Sequence, residues 1–289
     1  LLFERPEAGS AGITAFRRPG LLFFAMFNLT PVVRNILFIN IAAYFLQAAF
    51  LPQLQQIGAL YPIGSPYFQP WQFVTYMFLH GGFGHILSNM FGLISFGPML
   101  EMKWGPRRFL IFWMVCGIGA GVLYEGVRFY ENYQMERARQ EFVAAPTGGD
   151  LVAFFDKYAS EYSGYELLAQ TLQRNPQNQE YRESAIQTVN GVVDEIRNSR
   201  FSGMVGASGA LFGILFAFAY LFPNTELMLL FFPFPIKAKY FVGLYALYEL
   251  YAGIHRTPGD NVAHFAHLGG LLIGFIVLKI WEQGRERFY

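Results

Sequence analysis

A few polar side chains in an otherwise apolar sequence have the types and spacings that chemistry needs. Ser208 stands in Gly206-Ala-Ser-Gly-Ala-Leu-Phe-Gly213, near the head of an apolar run from Met204 to Phe222. His267 stands in a second such run, and His85 and Asn89 lie four residues apart in a third. A serine hydroxyl is a weak nucleophile at neutral pH and needs an adjacent base, which an imidazole supplies. Attack on a carbonyl also creates an oxyanion that needs fixed donors. His85, Asn89 and the Ser208 backbone N–H are the candidates for that place. A serine among Gly and Ala in an apolar helix is ordinarily a packing residue. The catalytic reading therefore depends on whether the chain brings these groups to one place.

The elements that must do so are membrane spans. The sequence is 54% hydrophobic and 18% aromatic but only 14% charged, against roughly 25% charged in soluble domains. A formal net charge of +1 gives no basic stripe for a nucleic-acid partner. Cys116 is the single cysteine, which excludes an internal disulfide and reads as a buried thiol. The first residues show no signal-peptide pattern, so targeting is expected from the spans themselves. No cofactor is implied.

Read in order, residues 1–31 form a cytoplasmic N-terminal segment with a short apolar patch, Leu21 to Phe27, suited to the interface. Spans are expected at about 35–51, 84–100, 109–124, 204–222, 240–254 and 261–280. Asn40 and Gln47 interrupt the first and are expected to face other helices. Residues 125–200 carry 12 acidic and 8 basic side chains, so they cannot span. Leu151, Phe154, Phe155 and Tyr158, and Ile186, Val189, Val193 and Ile196, recur at helical spacing, with a turn at Asn175-Pro176. This stretch reads as an extramembranous amphipathic helical insert. Residues 226–236, broken by Pro233 and Pro235, are too short to cross and read as interfacial or re-entrant. Residues 283–289 form a cytoplasmic tail.

Lys and Arg of the short loops set the orientation. Arg17, Arg18, Arg34, Lys103, Arg107, Arg108, Lys237, Lys239, Arg285 and Arg287 fall on one side, and only Arg256 falls in a short loop on the other. Both termini are then cytoplasmic and the insert lies outside. In this topology His85, Asn89, Ser208 and His267 all sit within roughly two helical turns, about 10 Å, of the outer ends of their spans. Gly270 and Gly274 continue the His267 face, and Gly209 and Gly213 give the Ser208 span a matching small-residue face, so the two helices can approach closely. No Asp or Glu is expected at this depth, which points to a Ser-His dyad rather than a triad and against a metal site. His264 reads as structural. A nucleophile elbow is excluded because Ala210 stands where G-x-S-x-G needs its second glycine.

At these residues the sequence resembles the rhomboid intramembrane serine proteases. The resemblance rests on Gly206-Ala-Ser208-Gly, on His80, His85 and Asn89, and on Ala266-His267-Leu-Gly-Gly270-Leu-Leu-Ile-Gly274. It covers about residues 32–282 apart from the insert. It implies an all-α integral membrane protein, a six-transmembrane-helix rhomboid bundle whose insert, 125–200, joins helices 3 and 4. By position it implies Ser208 as nucleophile, His267 as base, and His85 and Asn89 as oxyanion-stabilising groups. His80, Phe212, Gly206 and Gly270 take structural places near the site; Phe212 stands where the family often has a Tyr stacked on the catalytic His. Glu101 matches a structural acidic residue, and Trp71-Gln72 replaces the common Trp-Arg pair. The implied partners are a lipid bilayer and transmembrane protein substrates, with span five and the loop at about 255–261 as the gate. A bacterial inner membrane, with the site opening to its outer face, is the expected location. A pseudoprotease that binds transmembrane helices without cutting them is the alternative; the intact Ser208 and His267 favour catalysis.

Overall fold

The computed structural model describes residues 29–200, 202–229, 232–255 and 262–283. The expectations placed on the N-terminal segment through residue 28, on residues 256–261 of the gate loop and on the tail from 284 lie outside the described residues.

Helix α1 (Pro31–Ala49) begins with proline in its first turn, where the missing N–H costs nothing. Its cap is tertiary: Glu101 accepts hydrogen bonds from the Thr30 hydroxyl and from the backbone N–H groups of Val32 and Val33. A carboxylate at a helix N-terminus also suits the helix dipole. Asn40 and Gln47 of this helix are both buried.

A short helix, α2 (Gln53–Gly58), a one-turn helix, α3 (Gln72–Thr75), and a 3-10 turn (Tyr76–Phe78) follow. The Gln72 amide ties this loop together. It accepts from the Tyr61 and Gln69 N–H groups and donates to the Ile57 and Tyr67 carbonyls. A glutamine thus anchors the loop by backbone contacts.

Helix α4 (Phe83–Trp104) ends at Gly105, whose φ of 80° turns the chain into α5 (Pro106–Ala144). Helix α5 runs through position 124, where the sequence suggested a span should end, and continues unbroken to Ala144. No proline interrupts it, and Arg128–Glu131 and Arg137–Glu141 pairs one turn apart support the polar half. Helices α6 (Gly148–Tyr158), α7 (Glu166–Arg174) and α8 (Gln179–Arg197) pack with it around a separate apolar cluster. Leu151, Phe155, Leu172, Val189 and Val193 are buried there, so both expected amphipathic faces point inward.

Helix α9 (Ser208–Leu221) has 14 residues, a length of about 21 Å. It is shorter than the apolar run from Met204 because that run begins in extended backbone. Met204 and Leu60 exchange two hydrogen bonds as an isolated bridge, and Gly206 donates to the Tyr76 carbonyl. The helix therefore starts at Ser208 itself, inside the bundle.

After α9 the chain forms an antiparallel hairpin, β1 (Glu226–Leu229) with β2 (Phe232–Lys237). The segment expected to be too short to cross takes the form of this hairpin. Prolines are tolerated in β2 because both strands of a two-stranded ribbon are edges. Helices α10 (Ala238–Ile254) and α11 (His264–Gln283) complete the chain.

Among the described residues, three helices are long and apolar enough to cross a membrane: Pro31–Ala49, Pro106–Ala144 and His264–Glu282. Ser208–Leu221 is a shorter apolar helix. Apolar side chains also cover the outside of the bundle: Phe38 and Phe45 are exposed on α1, Phe91 on α4, Leu244 and Tyr251 on α10 and Ile280 on α11.

Helix α9 is almost wholly buried among α4, α5, α10 and α11. A Cβ on Gly270 would collide with the Gly209 carbonyl, and one on Gly274 would lie 3.0 Å from Gly213 Cα. The glycines of α11 are thus what chiefly admits the α9 backbone. Gly209 and Gly213 instead have their closest neighbours on α5, at Ala120 and Cys116. The small-residue contact is a three-helix junction, wider than the two-helix seam suggested by the spacing.

Candidate active site

Ser208 begins α9 and His267 lies in the first turn of α11. The close glycine contact below them brings His267 Nε2 to 2.8 Å from Ser208 Oγ. Phe212, one turn along α9, stacks flat on the imidazole with ring centroids 4.2 Å apart and 9° between planes. Its other neighbour is Tyr245 of α10, at 4.9 Å. The imidazole cannot swing away from the serine without losing its stack on Phe212, which Tyr245 backs.

His85 and Asn89 project from the first two turns of α4 into the same cavity, of about 1120 Å³, that Ser208 and His267 line. The Gly81 N–H donates to His85 Nδ1 at 3.3 Å. This leaves Nε2 of a neutral ring as the protonated nitrogen, a donor facing the cavity. Asn89 is buried, and among the described residues its Nδ2 has no hydrogen-bond partner. A buried amide donor without an acceptor is uncommon and calls for a functional explanation. The Ser208 N–H, at a helix start, has no intrahelical acceptor either.

Gly206 shapes the same corner. Its φ of 133° is one that L side chains rarely adopt, and a Cβ there would lie 2.7 Å from His85 Nε2. His80 does not line the cavity. It is fully buried behind His85, ring edge to ring face at 5.1 Å, and its backbone N–H and carbonyl are both bonded by the Gln47 amide. Gly270 also lies outside the cavity, in the packing seam. The structure therefore gathers Ser208, His267, His85, Asn89, Phe212 and Gly206 around one space and sets His80 and Gly270 behind it.

One residue overturns a sequence expectation. Glu249 of α10 reaches the site: its Oε2 lies 2.9 Å from His267 Nδ1 and 2.6 Å from His264 Nδ1. A carboxylate does lie at this depth, and His264 shares it rather than pointing elsewhere. The signal was present in the sequence, since Glu249 is the single acidic residue of the apolar helix α10 and an ionisable group in such a segment is a functional candidate by default. The donor atoms of Glu249, His264 and His267 all lie within 4.8 Å of one another, the spacing of a cluster able to hold a metal ion. The two short contacts to one carboxylate oxygen are equally those of two N–H donors.

Comparisons with known proteins point to one family. The Rhomboid domain family matches residues 67–135 and 185–282, leaving out the end of α5, all of α6 and α7 and the start of α8. A mitochondrial rhomboid protein of Schizosaccharomyces pombe is 29% identical over 221 residues, covering 74% of this chain and 52% of its own length. Rhomboid protein 1 of Saccharomyces cerevisiae, also mitochondrial, is 38% identical over 87 residues, 29% of this chain and 25% of that protein. A Bacillus subtilis protein described as a candidate rhomboid protease is 36% identical over 58 residues, 20% of this chain and 29% of its own. The chain thus spans about half the length of the first of these relatives and less of the others. Two of the three are mitochondrial, which does not favour the bacterial inner membrane expected from the sequence. With apolar helices able to cross a bilayer and a family match over more than half of its residues, the chain is a membrane protein that belongs to the rhomboid family.

Proposed function

We propose that this protein is an intramembrane serine endopeptidase that cleaves peptide bonds in or near transmembrane segments of other membrane proteins. The observation that carries the reading is the 2.8 Å contact between Ser208 Oγ and His267 Nε2. As Oγ attacks the scissile carbonyl carbon, its proton passes to Nε2. The oxyanion takes hydrogen bonds from the Ser208 N–H, His85 Nε2–H and Asn89 Nδ2. His267 then gives its proton to the departing amine as the C–N bond breaks, leaving an acyl ester on Ser208. A water deprotonated by the same nitrogen hydrolyses the ester and returns the hydroxyl.

In this reading α1, α4, α5, α9, α10 and α11 are the six spans of a rhomboid domain covering residues 32–282. Residues 125–200 form an extramembranous insert on the face to which the cavity opens. Tyr124 and Arg128, where α5 leaves the bundle for the insert, line that cavity and support the assignment. Lys and Arg of the opposite loops put both termini in the cytoplasm. Because an intact helix shields its peptide bonds, substrates are segments that unwind easily.

The test is cleavage of a model transmembrane substrate in proteoliposomes. Ser208→Ala and His267→Ala should be inactive, and Asn89→Ala slower by about 10²–10³-fold with the fold retained. A fluorophosphonate should label wild type at Ser208 alone. Equal cleavage by wild type and Ser208→Ala would sink the proposal. Substrate capture without cleavage by any form would favour a helix-binding pseudoprotease.

A further inference from the structure

We infer that Glu249 is the positioning residue for His267, so that Ser208, His267, Glu249 and His264 form one hydrogen-bonded series in which only Ser208 and His267 react. The inference rests on the proposed roles of Ser208 and His267. An ionised carboxylate can only accept hydrogen bonds. With Glu249 Oε2 at 2.9 Å, His267 Nδ1 must therefore be the protonated nitrogen. That leaves the Nε2 lone pair facing Ser208 Oγ at 2.8 Å. The opposite tautomer would point an N–H at the serine and could not take its proton.

The carboxylate is itself held. Glu249 is 2% exposed, and a buried carboxylate needs donors around it. His264 Nδ1 supplies one at 2.6 Å to the same oxygen. His264 and His267 are three residues apart on α11, so both rings reach Glu249 from one helical face. When His267 accepts the serine proton it becomes an imidazolium, and the adjacent carboxylate neutralises that charge where water is scarce. Glu249 touches neither substrate nor the reacting atoms in this scheme. It acts through the orientation, tautomer and charge of His267.

A purely structural role, tying α10 to α11, would use the same contacts, so the test needs readouts that tethering would not move. In the proteoliposome assay Glu249→Gln should lower kcat by about 10²–10⁴-fold with KM little changed, the loss expected when a triad acid can no longer fix the tautomer. Glu249→Asp, which keeps an acceptor-only group, should recover at least about tenfold of that loss. Imidazole 15N spectra of the wild-type protein should show His267 as the Nδ1–H tautomer, a reading that needs no variant to fold. The Nε2–H tautomer in wild type would overturn the inference.

So would Glu249→Gln turning over within about threefold of wild type while Ser208→Ala and His267→Ala are dead; the roles of Ser208 and His267 would then stand without it. Cleavage by Ser208→Ala would instead remove the underlying reading. Exhaustive dialysis against EDTA should leave the wild-type rate unchanged. Loss of activity restored by zinc would assign Glu249, His264 and His267 to a metal ion and overturn the positioning role.

Discussion

Around Ser208 the buried side chains include Asn89, Glu249, His264 and His267, while Phe45, Phe91, Leu244 and Ile280 face outward. The helices α6–α8 and the polar end of α5 also bury apolar side chains, but their charged groups stay outside. Leu151, Phe155, Leu172 and Val193 are inside, and Glu136, Arg137, Arg139 and Arg197 form ion pairs at the surface. The two regions share one continuous helix, α5, and the contrast is the one that the proposed placement, a bilayer around the first and water around the second, would produce. Hydrocarbon offers polar groups no partner, which drives them inward to find each other. Water rewards the burial of apolar surface instead. The bundle adds to its own apolar core a few short distances between backbones and polar atoms, whereas the α6–α8 region relies on its apolar core without them. Substitutions should therefore act differently in the two.

The largest effect is expected from Gly270→Val. Its Cβ would collide with the Gly209 carbonyl, and neither backbone can give way without moving α9 against α11. Since Ser208 and His267 sit on those two helices, their contact opens as well. Cleavage should fall by about 10²-fold or more, because even a 1 Å misplacement can cost that much. Thermal unfolding in detergent should shift down by the amount expected for overpacking, about 1–3 kcal/mol or more. Near-wild-type cleavage by Gly270→Val would mean that the glycine seam does not set the site's geometry.

Leu172→Ala probes the other region. Leu172 is fully buried in the insert core, and truncating such a residue costs about 2–5 kcal/mol. The expected outcome is rapid nicking between α6 and α8 by added protease, with transmembrane-substrate cleavage kept within about threefold of wild type. If this substitution abolished cleavage as Gly270→Val should, the two regions would be one cooperative unit and the contrast would fail.

Legibility divides along the same line. Ser208, His267, His85 and Asn89 stood out because polar positions in apolar runs are few, and they line one cavity. The insert's core positions could be found because its helices obey ordinary amphipathic periodicity. The start of α9 could not, since Met204 and Val205 look like the first helical residues. What keeps them extended is the pairing of Met204 with Leu60, a tertiary contact remote in sequence. The hairpin at Glu226–Lys237 was hidden for a similar reason, because its prolines read as breaks and its partner strand is short. Glu249 was legible in principle as one carboxyl in an apolar helix. Its role depends on α10 lying against α11, and periodicity alone does not give that orientation.

The smallest effect expected, and the sharpest check on the contrast, concerns Glu136 at the junction of α5 and α8. Its carboxylate accepts from Arg139 at Nε and Nη2, from Gln140 Nε2 and from Arg197 Nη1. The hydrogen bond from Arg139 is the main cause holding its pKa down at about 2. An unfolded glutamate titrates near about 4.3. Because the folded value is the lower one, the stabilisation is fully present above about pH 4.3 and is lost as pH falls toward about 2. Pepsin nicking of the insert should therefore accelerate on going from pH 5 to pH 3 in wild type, and that dependence should flatten in Glu136→Gln. Cleavage of a membrane substrate at neutral pH should be unchanged by the same substitution, since a partly exposed ion pair contributes little. An unaltered pH dependence of nicking in Glu136→Gln would show that other carboxylates govern the acid response of the insert, and that its surface pairs are incidental to how it is held against α5.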